Sequence, residues 1–135
     1  MLQFNGPTSV ISNFSAPVGR LFIALIFLMS GLNKIGNYAN TAGWMESAGV
    51  PGALLPLVIA LEVVGGAAII LGWQTRIVAF LFAGFCLLSA IIFHADFSDQ
   101  MQMGMFMKNV GLAGGFLILL VHGAGNYSLD NRKRD

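Results

Sequence analysis

Four long apolar runs, separated by short polar segments, dominate the hydrophobic pattern of the chain. Each run has about 18–21 residues, enough at about 1.5 Å of helical rise per residue to cross roughly 30 Å of hydrocarbon. The predicted spans are about Val18–Gly36, Ala53–Trp73, Arg76–His94 and Met105–Gly123. The pattern therefore predicts an all-α fold, an integral membrane four-helix bundle that forms a single domain over residues 1–135.

The polar segments between the runs are Asn37–Gly52, Gln74–Thr75 and Ala95–Gly104. The first ends in Gly-Val-Pro-Gly, which is a turn signal, and the second is long enough only for a tight hairpin. Within the first segment, Tyr38–Gly49 is expected to form a short helix on the membrane surface. Trp44 would anchor it there as a lid, because Trp and Tyr are enriched at the membrane interface.

The first run also has the length of a signal-peptide core at Leu21–Leu32. However, no positive residue precedes Arg20, and Asn33-Lys34-Ile35 is unlike a small-residue cleavage site. These features favour a membrane span.

Lysine and arginine are distributed unequally between the two ends of the predicted bundle. One end carries Arg20, Arg76, Arg132, Lys133 and Arg134, whereas the other carries Lys34 and Lys108. Positive residues are enriched on the cytoplasmic side of membrane proteins. We therefore expect both termini to be cytoplasmic, with Arg20 anchoring its helix among the lipid headgroups.

Composition supports a membrane protein and excludes several other classes. Only 10 % of the residues are charged, against about 25 % in soluble domains. The net charge of +1 gives no basic surface for nucleic acid. The single cysteine, Cys86, excludes an intramolecular disulfide, a Cys-x-x-Cys pair and a cysteine metal cluster.

Methionines alternate along the last loop and the start of the fourth run, at positions 101, 103, 105 and 107. Thioethers suit copper(I), but alternate residues do not share a helix face. No metal site is predicted.

The most informative polar residue is Glu62, which lies about 13 Å inside the second run at helical rise. A carboxylate at that depth costs several kcal/mol unless it has a partner or a function. The polar residues predicted near the outer end of the same bundle are Asn33, Lys34, His94, Lys108 and Asn109. We expect them to form an outward-opening pocket above Glu62.

Within this pocket, Glu62 and Lys108 are the catalytic candidates. The long Lys108 side chain can reach down toward the carboxylate or extend outward to water. The ligand-binding candidates are Asn33, Lys34, His94 and Asn109. Two other interpretations stay open: Glu62 and Lys108 form a purely structural pair, and Lys34 extends outward to the interface.

Small residues in three runs predict close helix packing. They are Gly65-Gly66-Ala67-Ala68 in the second run, Ala79 and Ala83 in the third, and Gly111 and Gly115 in the fourth. Alternatively, Gly111 and Gly115 form the contact of a homo-oligomer.

Several strings, taken in order, carry a family resemblance. They are Arg20–Lys34 (RLFIALIFLMSGLNK), Leu61–Gly66 (LEVVGG), Gly72–Arg76 (GWQTR), Phe93-His94, Met105–Gly115 (MFMKNVGLAGG) and Tyr127–Asp130 (YSLD). Together they resemble the DoxX family of small bacterial membrane proteins, from Val18 to Asp130. The resemblance implies a four-helix inner-membrane protein and matches Arg20, Glu62, Gly65, Gly66, Lys108 and Asn109 to the family's pattern. It also implies a link to terminal oxidases, thiosulfate:quinone oxidoreductase or oxidative-stress complexes.

These observations favour a subunit or accessory protein of quinone-linked redox metabolism. A quinone headgroup needs hydrogen-bond donors at its carbonyl oxygens, which Lys108, Asn109 and His94 can supply, and Glu62 can exchange protons. The sequence has no c-type haem, dinucleotide or iron–sulfur motif, so electrons would come from a redox partner protein. The alternative is a non-catalytic binding, assembly or transport module, and the sequence leaves open whether the protein is an enzyme.

Overall fold

A computed structural model describes residues 7–132, with side chains from Val10 onward, and this part of the chain contains helices and no strand. The α-helices are α1 (Pro7–Gly36), α2 (Tyr38–Ser47), α3 (Leu55–Ala60), α4 (Gly66–Leu71), α5 (Thr75–Phe93) and α6 (Gln100–His122). A single π-helical turn, Leu61–Gly65, joins α3 to α4, and short 3₁₀ turns cover Gly52–Leu54 and Leu129–Asn131. Lys133 and Arg134, which contribute to the predicted charge bias, lie outside the described residues.

The four predicted spans are confirmed as four long apolar helices. Their bounds are Val10–Gly36, Gly52–Leu71, Thr75–Phe93 and Gln100–His122. The second and third begin within one residue of the prediction. The first and fourth begin several residues earlier, because a helix can continue into polar sequence that a hydropathy pattern assigns to a loop. At the start of α6, the Asp99 carboxylate accepts a hydrogen bond from the Met101 amide at 3.0 Å and caps the helix. The short helix predicted at Tyr38–Gly49 is confirmed as α2.

Three phenylalanine rings form the centre of the bundle. Phe82 of α5 lies 4.5 Å from Phe27 of α1 and 5.0 Å from Phe116 of α6, measured between ring centroids. Phe82 and Phe116 are fully buried. Edge-to-face and offset ring pairs of this kind add about 0.5–1.5 kcal/mol each beyond the burial of their area. The cluster therefore ties α1 to the α5–α6 hairpin.

Glycines allow α1 and α5 to lie against the second span. A Cβ atom at Gly31 would lie 2.7 Å from Val63 Cγ2, and one at Gly65 would lie 2.9 Å from the Phe82 ring. The predicted small face of the second span is thus confirmed. In α6, a Cβ at Gly115 would meet Ile23 at 3.0 Å, but one at Gly111 would meet nothing within 4 Å. Gly111 therefore does not pack within the chain, and an oligomer contact there stays a prediction.

Residues 123–131 fold back across one end of the bundle, which we call the tail end. Arg20 is buried there, and its guanidinium donates hydrogen bonds to the carbonyls of Ile69 at 3.2 Å, Ile70 at 3.0 Å and Tyr127. Arg20 was expected among the lipid headgroups, and the structure corrects this. Its guanidinium donates to the last carbonyls of α4, where a helix has few backbone donors, although the Ile69 carbonyl also accepts from the Gly72 amide at 3.1 Å. These hydrogen bonds hold Arg20 inside the bundle.

The tail also caps α5. Asp130 accepts hydrogen bonds from the amides of Gln74 at 2.8 Å and Thr75 at 3.0 Å, and its own amide donates to the Gly72 carbonyl at 2.9 Å. Burial opposes ionisation of this carboxyl, but the hydrogen bonds from Thr75 and Gln74, with the charge of Arg20, outweigh it and lower its pKa. The tail, the α4–α5 turn and α1 are therefore linked by one polar network.

The sides of the bundle are apolar. Large side chains from all four spans are about two-thirds exposed, among them Phe22 (65 %), Leu57 (69 %), Phe80 (63 %) and Val121 (68 %). Such a surface is stable against lipid hydrocarbon and not against water. The spans therefore contact the bilayer.

Candidate functional site

Glu62 lies in the π turn of the second span. The residue is 2 % exposed, and its side chain lies against α1, where it contacts Lys34. A π turn holds one more residue than an α-helical turn and occurs frequently at functional sites. The local backbone is therefore unusual at the one acidic residue inside the four described spans.

The partner of Glu62 is Lys34, whose Nζ lies 2.8 Å from Oε1. Lys34 also donates a hydrogen bond to Ser30 Oγ at 2.6 Å. The predicted pairing with Lys108 is corrected by this contact, as is the view of Lys34 as an outward-extended residue. The reason is the close approach at Gly31, which places the last turns of α1 directly beside the π turn.

The ion pair leaves Glu62 with spare hydrogen-bonding capacity. Although Nζ and Oε1 are close, their angles are not those of a directed hydrogen bond, and Oε1 accepts none from the described residues. A carboxylate oxygen can accept more than one hydrogen bond. Oε1 can therefore accept a hydrogen bond from a ligand.

A cavity of about 310 Å³ opens beside this pair, at the end of the bundle that carries α2, which we call the α2 end. We refer to it as the α2-end cavity. Its polar lining consists of Ser30, Lys34, Thr41, Glu62, Ser89, His94, Lys108 and Asn109. Its aromatic lining consists of Phe27, Trp44, Phe85 and Phe93. The sequence placed seven candidate residues at this end of the bundle: Asn33, Lys34, Trp44, Glu62, His94, Lys108 and Asn109. All of them except Asn33 line this cavity.

The seventh residue, Asn33, does not line the cavity. It is exposed, and its side-chain oxygen accepts a hydrogen bond from the Asn37 amide group at 3.0 Å. Consecutive residues on an α-helix point about 100° apart, so the turn that aims Lys34 at Glu62 aims Asn33 elsewhere. The structure does not bring Asn33 together with the other ligand-binding candidates.

Trp44 covers one side of the cavity. Its ring stacks on Phe93 with a centroid distance of 4.3 Å and an interplanar angle of 21°, and it is 49 % exposed. The neighbouring Met45 is buried and fixes α2 against the bundle. Trp44 thus combines a surface position with a contact to the cavity.

His94 follows the last residue of α5 and is buried against the same cavity. Burial lowers its pKa, and the positive charge of Lys108 lowers it further. The imidazole is therefore neutral at physiological pH, with one nitrogen able to donate a hydrogen bond and the other able to accept one.

Sequence reasoning missed several lining residues, including Ser30, Phe85, Cys86 and Ser89. A helical pattern contains a signal for them, since positions 86, 89 and 93 lie three and four residues apart and share one face of α5. Ser30 is likewise one turn before Lys34. Their residue types alone carry no such signal in an apolar run.

The chain is similar in sequence to known membrane proteins. A sequence model of the DoxX family matches residues 16–95. The chain is 48 % identical over 113 residues to the inner membrane protein YqjF of Escherichia coli (strain K12), which covers 84 % of this chain and 87 % of that protein. It is 37 % identical over 122 residues to the inner membrane protein YphA of the same organism, which covers 85 % of this chain and 87 % of that protein.

A further similarity is shorter. The chain is 36 % identical over 73 residues, 54 % of each chain, to a Bacillus subtilis (strain 168) protein named "Putative oxidoreductase CatD". No solved structure matches.

Proposed function

This chain belongs to the DoxX family as a multi-pass inner-membrane protein, and from that premise we propose that it binds a quinone headgroup in the α2-end cavity. In this proposal it serves quinone-linked redox metabolism as a subunit or accessory protein. The observation that carries the proposal is one cavity with aromatic walls, several hydrogen-bond donors and a buried carboxylate.

The size and walls of the cavity suit a flat ring. Ligand cavities in proteins range over about 300–1,000 Å³, so about 310 Å³ accommodates a headgroup while an isoprenoid tail remains in lipid. Phe27, Phe85, Phe93 and Trp44 offer faces and edges for stacking. The lining is therefore apolar where a ring would lie.

The polar groups supply what the oxygens of such a ring require. Lys108 and Asn109 on α6 are donors, and neutral His94 can donate or accept. Glu62 Oε1 can accept from a hydroxyl on the reduced ring, with Lys34 holding the carboxylate in place. A bound quinone supplies redox chemistry that no side chain here provides, so this proposal includes a partner protein as the source of electrons.

The name of the Bacillus subtilis relative lends support, since an oxidoreductase is the kind of protein the proposal requires. A rival function is a non-catalytic membrane binding, assembly or transport module. It is favoured by the Lys34–Glu62 contact, which joins α1 to the second span through protein atoms alone.

The two tryptophans allow a direct test of the proposal. Trp44 lines the cavity, whereas Trp73 lies at the α4–α5 turn, outside it. Titration of a short-chain quinone into Trp73→Phe protein in lipid nanodiscs should quench the fluorescence of Trp44 saturably. The matched control, Trp44→Phe, reports only Trp73 and should show weak, non-saturating quenching from quinone dissolved in lipid. Equal, linear quenching in both variants would favour the rival function.

A further inference from the structure

The charges that line the α2-end cavity are unequal. Two ammonium groups, those of Lys34 and Lys108, face one carboxylate, that of Glu62. The other acidic residues at this end, Glu46, Asp96 and Asp99, do not line it. Because Lys34 is committed to Glu62 at 2.8 Å, the charge left over is that of Lys108.

Lys108 lies in the fourth span and is exposed. It is eight residues beyond the start of α6 at Gln100, about 12 Å along the helix axis. No carboxylate lies within 4.0 Å of its ammonium group among the side chains from Val10 to Arg132. A cation within a membrane span is costly unless it is paired or faces a polar cavity. Lys108 lines the cavity and its side chain is accessible, so it is placed to pair with something that enters.

The groups around Lys108 define what would pair with it. His94 is neutral and adds no second charge, and the buried Asn109 is a further hydrogen-bond donor in the same lining. Phe85, Cys86, Ser89 and Phe93 of α5 line the same cavity. The surroundings thus suit a ring that carries one negative oxygen at its edge.

We infer that the α2-end cavity selects ring ligands that carry one ionised oxygen, and that Lys108 is the counter-ion of this oxygen. This inference rests on the proposed function and adds a charge preference to it. Enolate and phenolate forms of quinone-like rings are the chemical class it names. A neutral quinone would fit the same walls but would leave the charge of Lys108 uncompensated.

The test compares two probes that differ in charge. Lawsone, a hydroxynaphthoquinone, is ionised at neutral pH, and menadione, a methylnaphthoquinone of similar size, is neutral. Their affinities would be measured by calorimetry in zwitterionic nanodiscs, with empty nanodiscs as the blank. We expect the protein to bind lawsone about tenfold more tightly, the size of one charge-assisted hydrogen bond. Lys108→Met should abolish the preference, and Lys108→Arg should keep it.

Each other outcome has one meaning. Equal affinities in the unaltered protein, or a preference that survives Lys108→Met, would overturn the inference and leave the quinone site standing. Binding of neither probe would overturn both. Two repeats test whether Lys108 pairs with a phosphate group instead. One uses nanodiscs that contain anionic lipid, and the other adds inorganic phosphate as a competitor. Loss of lawsone binding in either repeat would show that Lys108 pairs with a phosphate group, which overturns its assignment to a ring oxygen.

Discussion

The side chain of Glu62 shows how a single residue is accommodated inside a membrane span. Its charge is balanced by Lys34 on the adjacent helix, and Lys34 is itself held by Ser30 one turn earlier. A buried ion pair adds little net stability, but breaking one by removing a partner is expensive. The intact pair should therefore contribute little to the free energy of unfolding, whereas removal of one partner should lower it strongly.

Lys34→Met should destabilise the protein by about 3–5 kcal/mol, because it leaves a buried carboxylate without a cation. The double variant Lys34→Met/Glu62→Gln should recover most of this loss. Unfolding in a mild detergent titrated with a denaturing one measures both. Lys108→Met is the matched control and should change stability little. If Lys34→Met is no less stable than this control, Lys34 is not what compensates Glu62.

Asp130 gives a prediction with a pH dependence. Its pKa is lowered below the ordinary value of 3.8, so its stabilisation is complete above that value and is lost as the pH falls through its folded-state pKa. Asp130→Ala should cost about 1 kcal/mol at neutral pH, as for other helix caps, and the cost should vanish in strong acid. Thermal unfolding of both proteins from neutral pH to strong acid measures this cost. A cost that does not change with pH would contradict the role of the charge.

The contact between α1 and the π turn is the element on which the site depends. Gly31→Ala would place a Cβ 2.7 Å from Val63 Cγ2 and 3.0 Å from Glu62 Cβ. We expect a loss of about 1–3 kcal/mol, as for other overpacked positions. The control is Gly19→Ala on the same helix, where a Cβ meets nothing within 4 Å. Equal stability of the two variants would show that α1 and the π turn are not packed so closely.

The sequence was sufficient to predict the helices. It was less informative about which side chains each helix directs toward its neighbours. Apolar runs and polar interruptions predicted four spans and α2, since hydrocarbon thickness and helical rise fix the length of a span. The π turn carries no signal, because Leu61–Gly65 is equally compatible with a continuous α-helix. The choice of Lys34 over Lys108 as the partner of Glu62 depended on a close approach at Gly31 that periodicity does not reveal.

The tail was missed for a related reason. A lone arginine at the edge of an apolar run is typical of a headgroup anchor, and only the fold shows that residues 127–130 return to Arg20 and the α4–α5 turn. Contacts between residues about a hundred positions apart leave no local pattern. The sequence therefore shows at which end of the bundle a polar residue lies, but it does not show which residue it contacts.

At the scale of the whole molecule, the two ends of the bundle differ in kind. The tail end holds the Arg20–Asp130 network beside an open cleft of about 730 Å³, whose lining includes Arg76, His122 and Asp130. The α2 end holds the α2-end cavity with the buried Glu62. The charge bias predicts that the tail end, with both termini, faces the cytoplasm. The cavity would then open toward the opposite side of the inner membrane.

Single cysteines test this orientation. In a Cys86→Ala background, Ser47→Cys at the α2 end should react with a membrane-impermeant maleimide in intact cells. Asn126→Cys at the tail end should react only after the membrane is permeabilised. Both positions are exposed, so access depends on the side of the membrane. The reverse labelling pattern would show that the α2 end, and not the tail end, faces the cytoplasm.

The central claim is that the α2-end cavity holds a quinone, and mass spectrometry of lipids extracted from the purified protein tests it most directly. The protein should be isolated in native lipid particles and its quinone content measured per chain. The variants to compare are Glu62→Gln, the stabilised Lys34→Met/Glu62→Gln, and Asn33→Ala, which lies outside the cavity. We predict stoichiometric quinone in the unaltered protein and in Asn33→Ala, and its loss in both Glu62 variants. Equal trace amounts in all four would contradict the claim and leave Glu62 as a structural partner of Lys34.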